Sequence, residues 1–151
     1  MRVVGLDLGT KRVGVAVSDP RGVVATPYTV LQRASRRADD HRAVAGLVAE
    51  LDADLVVVGL PLSLDGRSGP AARSAREEAE QLRQALDVPV ELHDERLSTV
   101  SADRSLLAMN LKAGARRKLV DQVAAAVILQ SWLDGRPTRS SPGSADGGGN
   151  G

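Results

Sequence analysis

The sequence predicts a single domain of the α/β class, with antiparallel strands first and strands alternating with helices after them. Its 151 residues suffice for one domain, which would bury roughly 68 to 70% of the surface that the unfolded chain exposes. Residues 1–30 contain alternating apolar runs divided by turn signals, whereas helical spacing and short apolar runs alternate from residue 35 onward. This order is typical of a mixed sheet covered by helices.

Two strands joined by a tight turn begin the chain. A first apolar run starts at Val3 and contains Asp7, and the second run is Arg12–Ser18, with valine at every other position. The link Gly9-Thr10-Lys11 is short enough for an antiparallel hairpin. We therefore expect the first two strands to pair.

A third strand follows the turn signal Asp19-Pro20-Arg21-Gly22, from Val23 to Ala25 and on to Val30. Pro27 cannot donate to a neighbouring strand, which favours the edge of the sheet, and Pro89 marks a later strand in the same way. An exposed edge at either proline is a candidate pairing surface for a homodimer.

Strands and helices alternate in the second half of the domain. The run Leu55–Leu60 is apolar throughout, which is typical of a strand buried on both faces. Val88–His93 is a shorter strand, half exposed. Helical patterns cover residues 35–51, 72–86, 98–107 and 118–133. The last of these is apolar nearly all round and should be mostly buried.

Two segments fall outside the regular pattern. Residues 108–117 are predicted to form a surface loop. The loop ends with Arg116 and Arg117, the first two residues of the basic triplet Arg116-Arg117-Lys118. Residues 135–151 are rich in glycine, serine and proline and are expected to be disordered. The predicted domain therefore covers residues 1–134.

Composition limits the classes of protein. The net charge is +1 and cysteine is absent, which excludes disulfides and thiolate metal sites. No apolar run is long enough for a membrane span and no signal segment precedes the domain, so we expect a soluble, cytoplasmic protein. Single arginines, including those of the basic cluster Arg33-Arg36-Arg37, are expected to be solvated surface charges, and only the triplet at 116–118 stands out. His41 is expected on a helix surface and His93 at a structural or rim position.

Asp7 is the first candidate functional residue. It lies at the end of the first strand with a glycine two residues away on each side, Gly5 and Gly9. Glycine within a strand indicates that a helix, a metal or a backbone phosphate approaches closely. Asp7 is thus either a ligand beside cleared space or a turn former at a strand end.

Two further acidic positions stand beside predicted elements. Asp94 and Glu95 follow a strand directly, where sites of open α/β sheets usually lie, but the pattern does not decide which of them faces Asp7. Arg96 could neutralise one of the two. Asp121 lies in the first turns of an apolar helix, where it is either stabilised by the helix dipole or functional.

Four segments together resemble the YqgF (RuvX) family, in order and over about residues 1–134. They are Gly5–Asp19, Val58-Gly59-Leu60-Pro61-Leu62, Asp94-Glu95-Arg96-Leu97-Ser98-Thr99 and Asp121–Gln130. The resemblance implies a ribonuclease H-like fold: a mixed five-stranded sheet, three strands antiparallel and then two parallel, with helices on both faces. It also implies a nuclease that trims the 5' end of the 16S ribosomal RNA precursor, related in fold to Holliday-junction resolvases.

Position by position, the resemblance places the family's catalytic acids at Asp7, Glu95 and Asp121. Three carboxylates suit hard cations, Mg²⁺ or Mn²⁺, and two such ions roughly 3.5 to 4 Å apart can hydrolyse a phosphodiester. On this hypothesis Gly5 and Gly9 let the scissile phosphate come close. The expected grip on flanking phosphates comes from five basic residues: Lys11, Arg12, Arg116, Arg117 and Lys118.

Several alternatives stay open at this point. Precursor RNA and branched DNA are both candidate substrates, and the pattern does not separate an endonuclease from an exonuclease. A Holliday-junction-type DNA resolvase and a non-catalytic nucleic-acid-binding module are the alternative functions. The first motif also resembles a phosphate loop of actin-like ATPases and sugar kinases, but those proteins need two such domains.

Overall fold

The computed structural model describes residues 1–63, 65–98 and 113–136, and side chains in the last segment from residue 120 onward. Five strands form one sheet. They are β1 (Val3–Leu8), β2 (Arg12–Ser18), β3 (Ala25–Gln32), β4 (Leu55–Leu60) and β5 (Val90–Asp94), in the spatial order β3-β2-β1-β4-β5. β1 and β3 pair antiparallel with β2, whereas β4 runs parallel to both β1 and β5.

Helices cover both faces of the sheet. They are α1 (Arg37–Glu50), α2 (Pro70–Ala85) and α3 (Ala113–Gly135), and a single 3-10 turn, Glu95–Leu97, follows β5. The helices α1 and α2 bury one face through Val44, Val48, Ala79 and Leu82, and α3 buries the other through Ala125 and Leu129. The predicted fold class is thereby confirmed, including both sets of strand directions.

β3 begins later and extends further than the sequence predicted. Val23 and Val24 lie before the strand because their backbone N–H groups donate to the Asp19 carboxylate, at 2.7 and 2.9 Å. The strand then pairs with β2 as far as Gln32, with a register shift opposite Val15 and Ala16. Pro27 lies on this edge strand, as expected.

The last strand is also displaced. β5 starts at Val90 rather than at Val88, since Pro89 contributes only its carbonyl, to the N–H of Val56 at 3.0 Å. It continues through Asp94, which becomes the cap of the 3-10 turn. The helix predicted over residues 98–107 lies largely outside the described residues, as does the predicted tail after residue 136.

The prediction of a loop up to Arg117 was wrong, because α3 already begins at Ala113. Alanine, arginine and lysine favour helix, and they outweigh the single Gly114. The basic triplet therefore stands in the first turns of a helix. Within the described residues, no helix combines the length and apolarity that crossing a membrane requires.

Candidate active site

The three predicted acids line one cavity at the carboxyl ends of β1 and β4. Its volume is about 370 Å³, and Asp7, Glu95 and Asp121 all contribute to its wall. The remaining described lining residues come from the β1–β2 turn and from the segments around β4 and α2: Leu8, Gly9, Thr10, Lys11, Arg12, Gly59, Pro61 and Ala71. Residues 114 positions apart in the sequence are thus brought to one place, as the motifs predicted.

Glycines bring α3 and Asp121 close to Asp7. Asp7 is only 6% exposed and pairs across the sheet with Gly14 of β2. A Cβ at Gly14 would collide with the carbonyl oxygen of Asp121, so only glycine admits the α3 backbone there. Asp121 thereby lies beside the strand pair that carries Asp7.

The two glycines beside Asp7 have different neighbours. A Cβ at Gly5 would lie 2.7 Å from the Leu129 Cβ, so this glycine clears space for α3. At Gly9 it would lie 2.7 Å from the Arg12 carbonyl oxygen, within the turn itself. At Gly5 the closely approaching helix, one of the expected occupants, fills the space, whereas the approach of a phosphate at Gly9, which lines the cavity, stays a prediction.

The structure separates the two adjacent acids after β5. Asp94 caps the 3-10 turn and forms an ion pair with Arg96, Oδ2 to Nη2 2.6 Å. Hydrogen bonding to Arg96 lowers the pKa of the Asp94 carboxyl. Glu95 turns the other way, into the cavity, where its Oε2 would lie 2.8 Å from a Cβ at Gly59. Gly59 is therefore needed for the placement of Glu95.

Asp121 is held by Arg12 rather than by a helix dipole. It stands in the third turn of α3, beyond the first turn in which a helix dipole acts. The Arg12 Nε donates to Asp121 Oδ2 at 2.6 Å, and both side chains are mostly buried. The sequence did not indicate this pair, whose members lie 109 residues apart.

The RuvX family model, described as Holliday junction resolvase, matches residues 1–135. The chain belongs to this family. A Myxococcus xanthus relative named "Putative pre-16S rRNA nuclease" is 52% identical over 134 residues, which cover 89% of this chain and 88% of the relative. A relative of the same name from Mycobacterium sp. (strain KMS) is 53% identical over 137 residues. The match covers 89% of this chain and 80% of that relative.

The RuvX chain also shares its fold with a more distant solved structure. RuvC of T. thermophilus, in complex with Holliday junction substrate, superposes with a TM-score of 0.57 at 17% identity, over 89% of this chain and 95% of that one. At this identity the likeness establishes the ribonuclease H-like fold.

The donor chemistry of the RuvX cavity fits a hard divalent cation, although its acids do not form a closed cluster. Carboxylates are the protein ligands that Mg²⁺ and Mn²⁺ prefer, and Mg²⁺ needs only one or two of them beside water and substrate phosphate. Among the described residues, no three acidic or histidine side chains converge closely enough to hold an ion. One of the three acids, Asp121, forms an ion pair with Arg12 at 2.6 Å.

The predicted basic residues fall into two groups. Lys11 and Arg12 line the cavity beside the acids. Arg116, Arg117 and Lys118 begin the same helix that carries Asp121, but their side chains lie outside the described part of the chain. Their role as phosphate contacts remains a prediction.

A larger cavity, of about 610 Å³, lies on the other side of the 3-10 turn. Its described lining includes none of the three acids, and His93 and Ser131 within it bond each other at 2.9 Å. Burial lowers the pKa of His93, against the opposing effect of Asp94, so the ring is neutral at pH 7. His93 is not among the described residues that line the cavity of the acids, and its structural or rim role stays a prediction.

Sequence reasoning missed a buried ionic cluster behind the β1–β2 turn. Arg33 was expected in solvent, but its side chain is only 11% exposed and binds Glu78. His41 was expected on a helix surface, but it is buried against the same carboxylate at 2.9 Å. An isolated charge on an amphipathic helix looks solvated in the sequence, and only the fold shows its partner.

Proposed function

We propose that this protein is a divalent-metal-dependent nuclease, with Asp7, Glu95 and Asp121 as its catalytic acids. The observation that carries the proposal is the convergence of all three on one cavity that also exposes Lys11 and Arg12. Its described lining residues carry three carboxylates and two cations, a formal charge of −1. A phosphodiester cannot approach such a cavity favourably unless further positive charge enters with it.

The division of labour follows from the surroundings of each residue. Asp7, on the rigid central strand, and Glu95, in the space left by Gly59, are the proposed metal ligands on the sheet side. Asp121 completes the set from α3. When bound, Mg²⁺ or Mn²⁺ generates a nucleophilic water and relieves charge on the leaving oxygen, most effectively as a pair of ions.

The basic residues supply the second half of the proposed site. Lys11 and Arg12 line the same cavity as the acids, and we expect them to contact the phosphates on either side of the scissile bond. Contacts of this kind fix the backbone without reading bases, so binding should weaken steeply with salt. The triplet Arg116-Arg117-Lys118 would extend this grip along the strand.

We further propose the precursor of 16S ribosomal RNA, at its 5' end, as the substrate. The names of the relatives from Myxococcus xanthus and Mycobacterium sp. support this choice. Branched DNA is the second candidate, because the family model is described as Holliday junction resolvase. Both substrates have a sugar–phosphate backbone, so the same acids could act on either.

A paired-substrate assay tests the proposal. A structured RNA with a 5' extension and a four-way DNA junction are incubated with the wild type, Asp7→Asn and Asp94→Asn, each with Mg²⁺, Mn²⁺ or a chelator. Asp94 is the matched control, since it carries the same charge but pairs with Arg96. We expect metal-dependent cleavage of the RNA by the wild type and Asp94→Asn, and none by Asp7→Asn.

Other outcomes would change the assignment. Cleavage of the junction alone would transfer the substrate from RNA to branched DNA. Binding of either nucleic acid without cleavage under any metal would make the protein a binding module. Equal cleavage by the wild type and Asp7→Asn would remove the acids from the reaction.

A further inference from the structure

The buried ionic cluster lies directly behind the wall of the candidate active site. At its centre the Arg33 guanidinium donates two hydrogen bonds to Glu78 of α2, at 2.6 and 2.8 Å, and one to Asp40 of α1 at 3.1 Å. The Glu78 side chain is only 2% exposed. Burial opposes ionisation of this carboxyl, but bonds from Arg33 and His41 outweigh it and lower its pKa.

Arg33 also holds the β1–β2 turn, on the side away from the cavity. Its Nε donates to the Gly9 carbonyl oxygen at 3.0 Å. Its backbone N–H donates to the Lys11 carbonyl oxygen, also at 3.0 Å. Arg33, which directly follows β3, thus binds two carbonyls of a turn that lines the cavity with Gly9, Thr10 and Lys11.

The same guanidinium therefore connects two walls of the cavity. The turn forms one wall, and α2, which carries Glu78, contributes Ala71 from its first turn to another. The planar guanidinium presents several donors in a fixed geometry, so it can bind the carboxylate and the turn carbonyl at once. A lysine ammonium in its place could not span both.

We propose that Arg33 is a positioning residue of the active site, which sets the β1–β2 turn against α2 and thereby aligns Lys11 and Arg12 with the substrate phosphates. Arg33 itself is not among the described residues that line the cavity. The role in the reaction rests on the proposed nuclease function. The attachment of the turn does not, and it can be measured by itself.

Three variants test this role, each measured by amide hydrogen exchange and by cleavage of the structured RNA. Arg33→Lys keeps the positive charge but loses the planar guanidinium with its several N–H donors. Arg33→Met/Glu78→Met replaces the buried pair with apolar side chains, which often preserves stability. Arg37→Ala is the matched control, because Arg37 binds the same Glu78 carboxylate but its side chain is 49% exposed and makes no contact with the turn among the described hydrogen bonds.

We expect both Arg33 variants to exchange the amides of residues 9–12 at least tenfold faster, while core amides such as that of Val57 keep wild-type protection. Cleavage should fall by about a hundredfold, the order expected when reacting groups are displaced by about 1 Å. Arg37→Ala should match the wild type in both measurements. A merely structural role would instead raise exchange in turn and core together.

Unchanged exchange in the turn, or a rise shared equally by the core, would overturn the positioning role. So would an equal loss of cleavage in Arg37→Ala. A wild type that cleaves neither substrate under any metal would overturn the nuclease proposal instead, and the exchange data would still decide whether Arg33 holds the turn.

Discussion

At the scale of single residues, glycine decides how closely α3 and the acids approach the sheet. Gly5, Gly14 and Gly59 each lack the Cβ that would meet α3 or Glu95. Two of them could be recognised from their positions beside Asp7 and in a buried strand. The sequence does not show what occupies the cleared space, since the contacting residues of α3, Leu129 at Gly5 and Asp121 at Gly14, lie more than a hundred residues away in the chain.

The first prediction concerns Gly59→Ala. The new Cβ would stand 2.8 Å from Glu95 Oε2 and 2.7 Å from Ile128 Cδ1, so the carboxylate must move. We expect about 1 to 3 kcal/mol of destabilisation from overpacking, measured by urea unfolding, together with a lower initial cleavage rate. Gly46→Ala, in α1 with nothing within 4 Å, should instead stabilise the protein by about 0.5 to 1 kcal/mol. A Gly59→Ala protein with the wild-type rate would contradict the placement of Glu95.

The second prediction concerns Arg12→Gln. Because Arg12 pairs with Asp121 at 2.6 Å, its loss frees a carboxylate for a cation but removes a phosphate contact. We expect tighter Mg²⁺ binding by calorimetry and weaker RNA binding, with a salt slope reduced by about 1. Arg21→Gln, at a side chain that is 85% exposed, is the control and should change neither. If the affinities for Mg²⁺ and for RNA both rose or both fell, the result would count against the two roles of Arg12, as partner of Asp121 and as phosphate contact.

At the scale of elements, Arg33 joins the segment after β3 to α1 and α2 through Asp40 and Glu78. Arg33 and Glu78 lie 45 residues apart, and Asp40 belongs to a third element. Helical periodicity predicted α1 and α2, but it placed His41 on a helix surface and gave no partner for Asp40 or Glu78. The pairing depends on how the two helices pack side by side, which no local pattern contains.

The third prediction concerns the acid stability of this cluster. The pKa of Glu78 is lowered in the folded state, so its contribution to stability is complete above the unfolded value of about 4.3 and is lost as the pH falls through the folded value. Urea midpoints should therefore decline below about pH 4.3. Glu78→Gln should be less stable at pH 7, by about 3 to 5 kcal/mol, because the buried Arg33 loses its two bonds to the Glu78 carboxylate and keeps only Asp40 as a carboxylate partner among the described bonds. The urea midpoint of Glu78→Gln should also fall less steeply with decreasing pH than that of the wild type.

Glu80→Gln is the matched control for this pH profile. Glu80 lies on the same helix but is 61% exposed and pairs with Arg83. It should retain the wild-type midpoints and their pH dependence. If the urea midpoints of Glu78→Gln and the wild type depended on pH in the same way, Glu78 would contribute nothing to the loss of stability in acid.

At the scale of the whole molecule, the sequence predicted the sheet and the acids more fully than the charges around them. β2 and β4 have the bounds that alternation and continuous apolarity indicated. β3, β5 and α3 begin at other residues than predicted. The cause is the side-chain cap at Asp19 for β3, Pro89 for β5 and the helix-favouring composition of the first turns for α3. The meeting of the three acids was an expectation from the family resemblance, and the cavity now gives it a geometry.

The central claim is that Asp7, Glu95 and Asp121 form one metal site, whereas Asp94 does not belong to it. Titration with Mn²⁺, followed by electron paramagnetic resonance, measures this directly in the wild type, Asp7→Asn, Glu95→Gln, Asp121→Asn and Asp94→Asn. We predict at least tenfold weaker binding in the first three variants and wild-type binding in Asp94→Asn. Equal binding by all five proteins, or a loss confined to Asp94→Asn, would contradict the claim.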